Sequence, residues 1–176
     1  MKDLLSIVSH FQLQGTVQEI NPLGAGLIND TYKVSTLEAD APDYVLQRIN
    51  HAIFQNVEML QANINAVTTH IRKKLEEKGE KDIERKVLHF FPADTGKTYW
   101  HDGESYWRVM AFIPNARTYE TVNPEYSYYA GVAFGNFQAM LADIPDKLGE
   151  TIPDFHNMEF RLNCFAMPWR PMLPDV

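Results

Sequence analysis

The sequence predicts an α+β protein: a mostly antiparallel sheet of about five strands with one long helix packed on it. Three observations predict this. Strand-like runs fall in two groups, at residues 17–49 and 86–112, on either side of one long helical segment. Within that segment Val57, Leu60, Ile64, Val67, Ile71 and Leu75 are spaced 3, 4, 3, 4 and 4, which places them on one helical stripe. Strands and helices do not alternate one for one, which argues against a doubly wound parallel sheet.

Each element has its own local reason. Residues 3–11 read as a short amphipathic helix with Leu4, Leu5, Val8 and Phe11 on one face. Residues 17–23 are a strand, and Gly24-Ala25-Gly26 is a turn. Residues 31–36 form the next strand, with Tyr32 and Val34 alternating with Lys33 and Ser35. Residues 39–43 are a loop, and residues 44–49 a third strand. The long helix spans residues 56–78. Arg72, Lys73 and Lys74 suit its negative end, and Gly79 suits its cap. Strands return at residues 86–91, 98–101 and 104–112, the last two joined by the hairpin dipeptide Asp102-Gly103. Asn123 then caps a helix that Pro124 and Glu125 open. Its apolar stripe is Tyr126, Ala130, Ala133, Phe134, Phe137 and Leu141. Residues 145–157 are a Pro/Asp-rich loop.

Size and composition narrow the function classes. At 176 residues the chain is one domain or two small units sharing a core. A formal charge of −7 disfavours nucleic acid as the main partner. The longest clean apolar run, residues 109–113, is far short of the ~20 residues of a membrane span. The N-terminus has no stretch that reads as a signal peptide. A single cysteine, Cys164, excludes an intrachain disulfide and a multi-cysteine metal site. A cytoplasmic protein fits these features.

Three segments can carry chemistry. The glycine turn with Asn29, Asp30 and Thr31 after it would let backbone N–H groups approach a phosphate. A plain hairpin turn fits the same glycines equally well. Arg48, on the third strand, could hold phosphates, with Glu58 early in the long helix as its carboxylate partner. A solvated strand arginine and a dipole-favoured helical Glu fit these residues too. Residues 110–114, an apolar strand ending in Pro114, could be a hinge whose backbone meets a purine edge, or an ordinary core strand. The six histidines are scattered without metal-ligand spacing. No G-x-S-x-G elbow occurs. Cys164 has no base nearby in sequence, so it reads as inert. The aromatic group Tyr126, Tyr128, Tyr129, Phe134 and Phe137 reads as core rather than a ligand cage.

Taken in order, these segments resemble the small lobe of the aminoglycoside phosphotransferase and choline kinase family. Residues 22–34 look like its phosphate loop, and Val45-Leu46-Gln47-Arg48 like its third strand. Phe112-Ile113-Pro114 looks like its hinge. Residues 129–145, with Ala133-Phe134-Gly135-Asn136-Phe137-Gln138, look like the first helix of its large lobe, in the N-acetylhexosamine 1-kinase branch. The resemblance covers about residues 4–162. It implies residues 1–114 as an ATP-binding lobe of protein-kinase-like fold, residues 115–162 as hinge and start of a second lobe, and residues 163–176 as an atypical tail. It also implies nucleotide contacts at Gly24, Gly26, Asn29, Asp30, Thr31, Arg48, Glu58 and the backbones of Ala111 and Ile113. ATP and Mg²⁺ are the implied cofactors, and an amino sugar phosphorylated at its C1 hydroxyl the implied substrate.

The chain departs from that family at one decisive point. The His-x-Asp-x-x-x-x-Asn loop and the later Mg²⁺-binding Asp do not occur; His101-Asp102 and His156-Asn157 do not match. No catalytic or metal residue carries over, and the chain alone is expected to be inactive. Residues 163–176 abandon helical patterning, with three prolines at 168, 171 and 174. Back-translated one base back, the run from Phe165 becomes helix-forming, so a frameshift in a longer kinase gene is expected. Without the rest of the large lobe, apolar faces stay uncovered and a homodimer or higher oligomer is expected. A non-catalytic nucleotide-binding or oligomerising module is the alternative. Sulfatase chemistry is rejected because no Cys/Ser-x-Pro-x-Arg pattern is present.

Overall fold

The computed structural model describes residues 3–24, 26–117, 119, 121 and 123–166. It is α+β. Helix α1 (Leu4–Val8) leads into strands β1 (Val17–Pro22), β2 (Asp30–Thr36) and β3 (Tyr44–Ile49). Helix α2 (Val57–Glu77) follows, then a 3₁₀ turn at Ile83–Arg85, and strands β4 (Phe90–Phe91), β5 (Trp100–His101) and β6 (Tyr106–Ala111). Helices α3 (Pro124–Leu141) and α4 (Met158–Ala166) close the described chain. All strand pairs are antiparallel. The order is β1-β2-β3-β6-β4, with β5 hairpinned onto β6.

Helix α2 starts where Asn56 Oδ1 accepts from the Met59 N–H (2.9 Å). It ends in a Schellman cap, in which the Gly79 N–H donates to Glu76 C=O and the Glu80 N–H to Leu75 C=O, both at 2.9 Å. Gly79 supplies the required positive φ of 65°. Helix α3 starts in the same way, with Asn123 Oδ1 accepting from the Tyr126 N–H at 2.8 Å.

Strand alternation sends side chains to two faces of the sheet. One face buries Val34, Tyr44, Leu46, Trp107 and Val109 against Ile7, Val8 and Phe11. On the other face Ile49 packs on Val57 and Leu60 of α2, with Tyr106 and Ile64 beside them. A third cluster joins Ile71 and Leu75 of α2 to Val87, with Met140 and Leu141 of α3 at its edge.

The fold corrects several local expectations. The first helix is five residues, and it buries Ile7 where Leu5 was expected; Leu5 is exposed. The strand expected at 86–91 shrinks to Phe90–Phe91. Lys86 and Val87 instead donate to the Ile83 carbonyl in the 3₁₀ turn, and Val87 packs on α2 rather than extending the sheet. The strands expected at 98–101 and 104–112 shorten to two and six residues. Helix α4 was not anticipated, and it takes in Asn163 to Ala166, which the sequence assigned to an irregular tail. The Asn157 side chain caps it by accepting from the Phe160 N–H at 3.0 Å. The expected irregularity at residues 167–176 lies outside the described residues. The aromatic group on α3 is not core: Tyr126, Tyr128, Tyr129, Phe134 and Phe137 are all exposed.

Candidate functional site

The β1–β2 loop sits at one end of the sheet. Its strands pair up to Pro22 opposite Tyr32, and the Leu23 N–H donates to Thr31 C=O at 2.8 Å. Gly24 then takes φ +72°, and a Cβ there would meet nothing within 4 Å. At Gly26 a Cβ would lie 2.9 Å from the Asn29 carbonyl, so the tight return of the loop requires glycine. Leu27 is fully exposed. The Asn29 side chain accepts from the Asn50 N–H at 2.9 Å and ties the loop to the exit of β3.

Beside the loop stand Asp30 and Arg48, directly opposite in the β2–β3 register. Arg48 Nε donates to Asp30 Oδ2 at 2.6 Å, and Nη2 reaches the same oxygen. Both side chains are about half exposed, so the pair is screened by water. With Ile28, Asn50 and His51 they line a shallow depression of about 240 Å³.

The expected Arg48–Glu58 pair does not form. Arg48 shares strand parity with Tyr44 and Leu46, which face α1, whereas α2 lies on the face of Ile49. Glu58 instead accepts from Lys97 Nζ at 3.0 Å. That bond and the Tyr99 hydroxyl raise the Lys97 pKa, the Tyr99 hydrogen bond most. In the expected hinge, the Ala111 N–H already donates to His89 C=O (2.9 Å) and the Phe112 N–H to Asp43 C=O (3.1 Å). Arg85 Nη1 donates to the Pro114 carbonyl at 2.8 Å. Ile113 follows in the coil after β6. Thus Gly24, Gly26, Asn29, Asp30, Thr31 and Arg48 gather at one end of the sheet. Glu58 lies on α2 and pairs with Lys97 of the β4–β5 connection, and Ala111 and Ile113 lie at the opposite end of β6.

The polar residues facing α2 form a second group that sequence reasoning did not single out. Gln47 lies opposite both Thr31 and Arg108. Its Nε2 donates to Thr31 Oγ1 at 3.0 Å. Its Oε1 accepts from Arg108 Nε at 3.0 Å and Nη2 at 2.6 Å. Arg108 Nη1 donates to Gln61 Oε1 of α2 at 2.9 Å, and Gln61 Nε2 donates to the Thr98 carbonyl at 2.8 Å. Gln61 is only 2% exposed. A continuous polar chain therefore runs from the end of the glycine loop, across β3 and β6, into α2.

Arg108 is the electrostatic oddity of this chain. Among the described residues no carboxylate pairs with it. Burial alone pushes its pKa down to about 10. The guanidinium stays charged at neutral pH, so the fold carries the desolvation cost there; that cost fades only as pH rises above about 10. The signals in the sequence were the strand parity of Tyr106, Arg108 and Met110, and the place of Gln61 four residues after Val57 on the α2 stripe.

A comparison with known protein-family models finds no match for this chain. Among the described residues, no helix is long and apolar enough to cross a membrane.

Proposed function

We propose that the chain carries the nucleotide-binding portion of a small-molecule kinase, related to the aminoglycoside phosphotransferase and choline kinase family in its N-acetylhexosamine 1-kinase branch. One observation carries the reading: a glycine loop, tied by Asn29 to the exit of β3, lies beside a strand cation at one end of an antiparallel sheet on which a long helix packs. Backbone N–H groups of Gly24 and of residues 26–29 would meet the phosphates, and Arg48 would turn from Asp30 toward them. ATP would supply the phosphoryl group, with an amino-sugar C1 hydroxyl as acceptor. The residues of this chain bind and orient the nucleotide. The acceptor base and the Mg²⁺ carboxylates are assigned to none of them.

The test is calorimetric titration with ATP·Mg²⁺. Wild-type protein is expected to bind, and Arg48→Ala and Gly26→Val each to weaken binding at least tenfold. No binding by the wild type, or binding indifferent to both changes, overturns the reading.

A second reading rests on α3 and α4, in which no residue is buried although Phe134, Phe137, Phe160, Leu162 and Phe165 are apolar. Here the chain is an oligomerising module, and these faces close a homodimer or higher oligomer. Sedimentation at micromolar concentration is expected to show an oligomer; a sharp monomer boundary overturns this.

A further inference from the structure

An apolar concavity next to the sheet lies away from the glycine loop. It is a groove of about 660 Å³ between α2, the β6 side of the sheet and α3. Leu60, Ile64 and Val67 line one wall, and Phe137 and Met140 another. Met110 and Arg108 form part of the sheet side. None of the residues that carry the nucleotide reading lines it.

Charge inside this groove is unbalanced. Lys86 also lines it, but Glu80 neutralises Lys86 at 2.5 Å. Asn63 is tied to the backbone of Gly149, and the Thr68 hydroxyl to the Ile64 carbonyl. Among the described residues, Arg108 brings a positive charge whose partners are all neutral: the two glutamine oxygens and the Phe90 ring, whose centroid lies 5.5 Å from the guanidinium carbon. Of the five N–H groups of a guanidinium, three donate to those oxygens, which leaves two. A part-buried cation held by amides carries a desolvation cost, and a carboxylate in reach relieves that cost through charge-assisted hydrogen bonds.

We propose that this groove binds a small amphipathic monocarboxylate, its head on Arg108 and its apolar tail along α2 and α3. A single cation with no carboxylate partner among the described residues matches a single negative charge. A polyphosphate would bring several charges into a groove that offers one. The apolar walls match an alkyl or aryl tail rather than a sugar, whose hydroxyls would lose their water there.

The probe is octanoate, with octanol as the uncharged control, each titrated into the full chain and followed by amide NMR shifts. Saturable octanoate binding is expected, at least tenfold tighter than octanol, with shifts centred on residues 60–71 and 106–110. Arg108→Met is expected to abolish the preference for octanoate. Because that change leaves Gln47 and Gln61 without their donor, Gln47→Glu is the second test. This nearly isosteric change places a carboxylate where Arg108 already points, and the Thr31 hydroxyl can turn to donate to it. Gln47→Glu is expected to raise the melting temperature while weakening octanoate at least tenfold. Three results each overturn the proposal: no saturable octanoate binding, octanol binding as tightly as octanoate, or full octanoate affinity in Gln47→Glu. In each case Arg108 is a structural strut.

Discussion

Two regions of this molecule use similar residues and reach opposite outcomes. In the sheet half, apolar stripes meet partners: Leu46, Val109 and Trp107 are fully or almost fully buried against α1, and Ile49 against α2. In the C-terminal half, the 18 residues of α3 and the nine of α4 include no buried residue, and Phe134 is 71% exposed. Helix α3 is rich in aromatic and small apolar residues, yet it meets α2 at its C-terminal end and leaves its aromatic face exposed. There Lys74 and His70 of α2 both bond the Met140 carbonyl and Asp143, while Met140 and Leu141 pack near Ile71 and Leu75. The difference teaches that a stripe in the sequence records readiness to be buried. Burial itself depends on an opposing surface.

The sharpest break in this comparison is a pair of truncations. Leu46→Ala should lower unfolding free energy by about 2–5 kcal/mol, because it opens a cavity in a closed core. Phe134→Ser, measured at dilution sufficient for a monomer, should change it by less than ~0.5 kcal/mol. Urea titration of both reads the contrast directly; equal losses would mean that α3 is covered within one chain.

Next in size is Tyr44→Phe. The Tyr44 hydroxyl accepts from the Gln14 N–H at 2.8 Å and donates to the Gln14 carbonyl at 3.0 Å, pinning the segment after α1 to the sheet. Its loss should cost about 1–3 kcal/mol in the same titration. A smaller effect is expected from Lys74→Met, which removes one of the two α2 side chains holding the end of α3. Hydrogen exchange should accelerate several-fold in residues 136–141 and stay unchanged in β3 and β6.

The smallest effect is a pH dependence at the β2–β3 hairpin. The Lys33 ammonium, 2.8 Å away, holds the Asp43 pKa below its usual value, aided by the Thr36 N–H. A carboxyl with a lowered folded pKa stabilises the protein above its unfolded pKa, near 4, and loses that contribution as pH falls through the folded value. Asp43→Asn should therefore be slightly less stable than wild type at pH 7. Denaturation at stepped pH should show the gap closing below about pH 4.

Legibility followed the same divide. Strand Tyr44–Ile49 and helix α2 were readable because alternation, stripe and cap each point to the same element. The strand expected at 86–91 failed because Val87 is drawn to α2 by the neighbouring 3₁₀ turn, a long-range preference that local β-propensity does not contain. Helix α4 lacks a clean stripe, and only its Asn157 cap announces it. At the glycine loop, Gly24, Gly26 and Asn29 were legible as turn chemistry. The partner of Arg48 was not, because neighbouring residues on a strand point to opposite faces. Only the sheet shows that Arg48 meets Asp30 while Gln47 turns toward Arg108 and α2.

The sequence by itself determined the α+β class, the antiparallel hairpins, the long capped helix and the acidic surface. These follow from period, turn residues and charge, all local properties of the chain. Only the tertiary structure decided which face of the sheet α2 covers, that Arg108 is held between Gln47 and Gln61, and that α3 buries no residue. Those outcomes depend on which segments meet across long stretches of chain, and burial and desolvation act only once they have met.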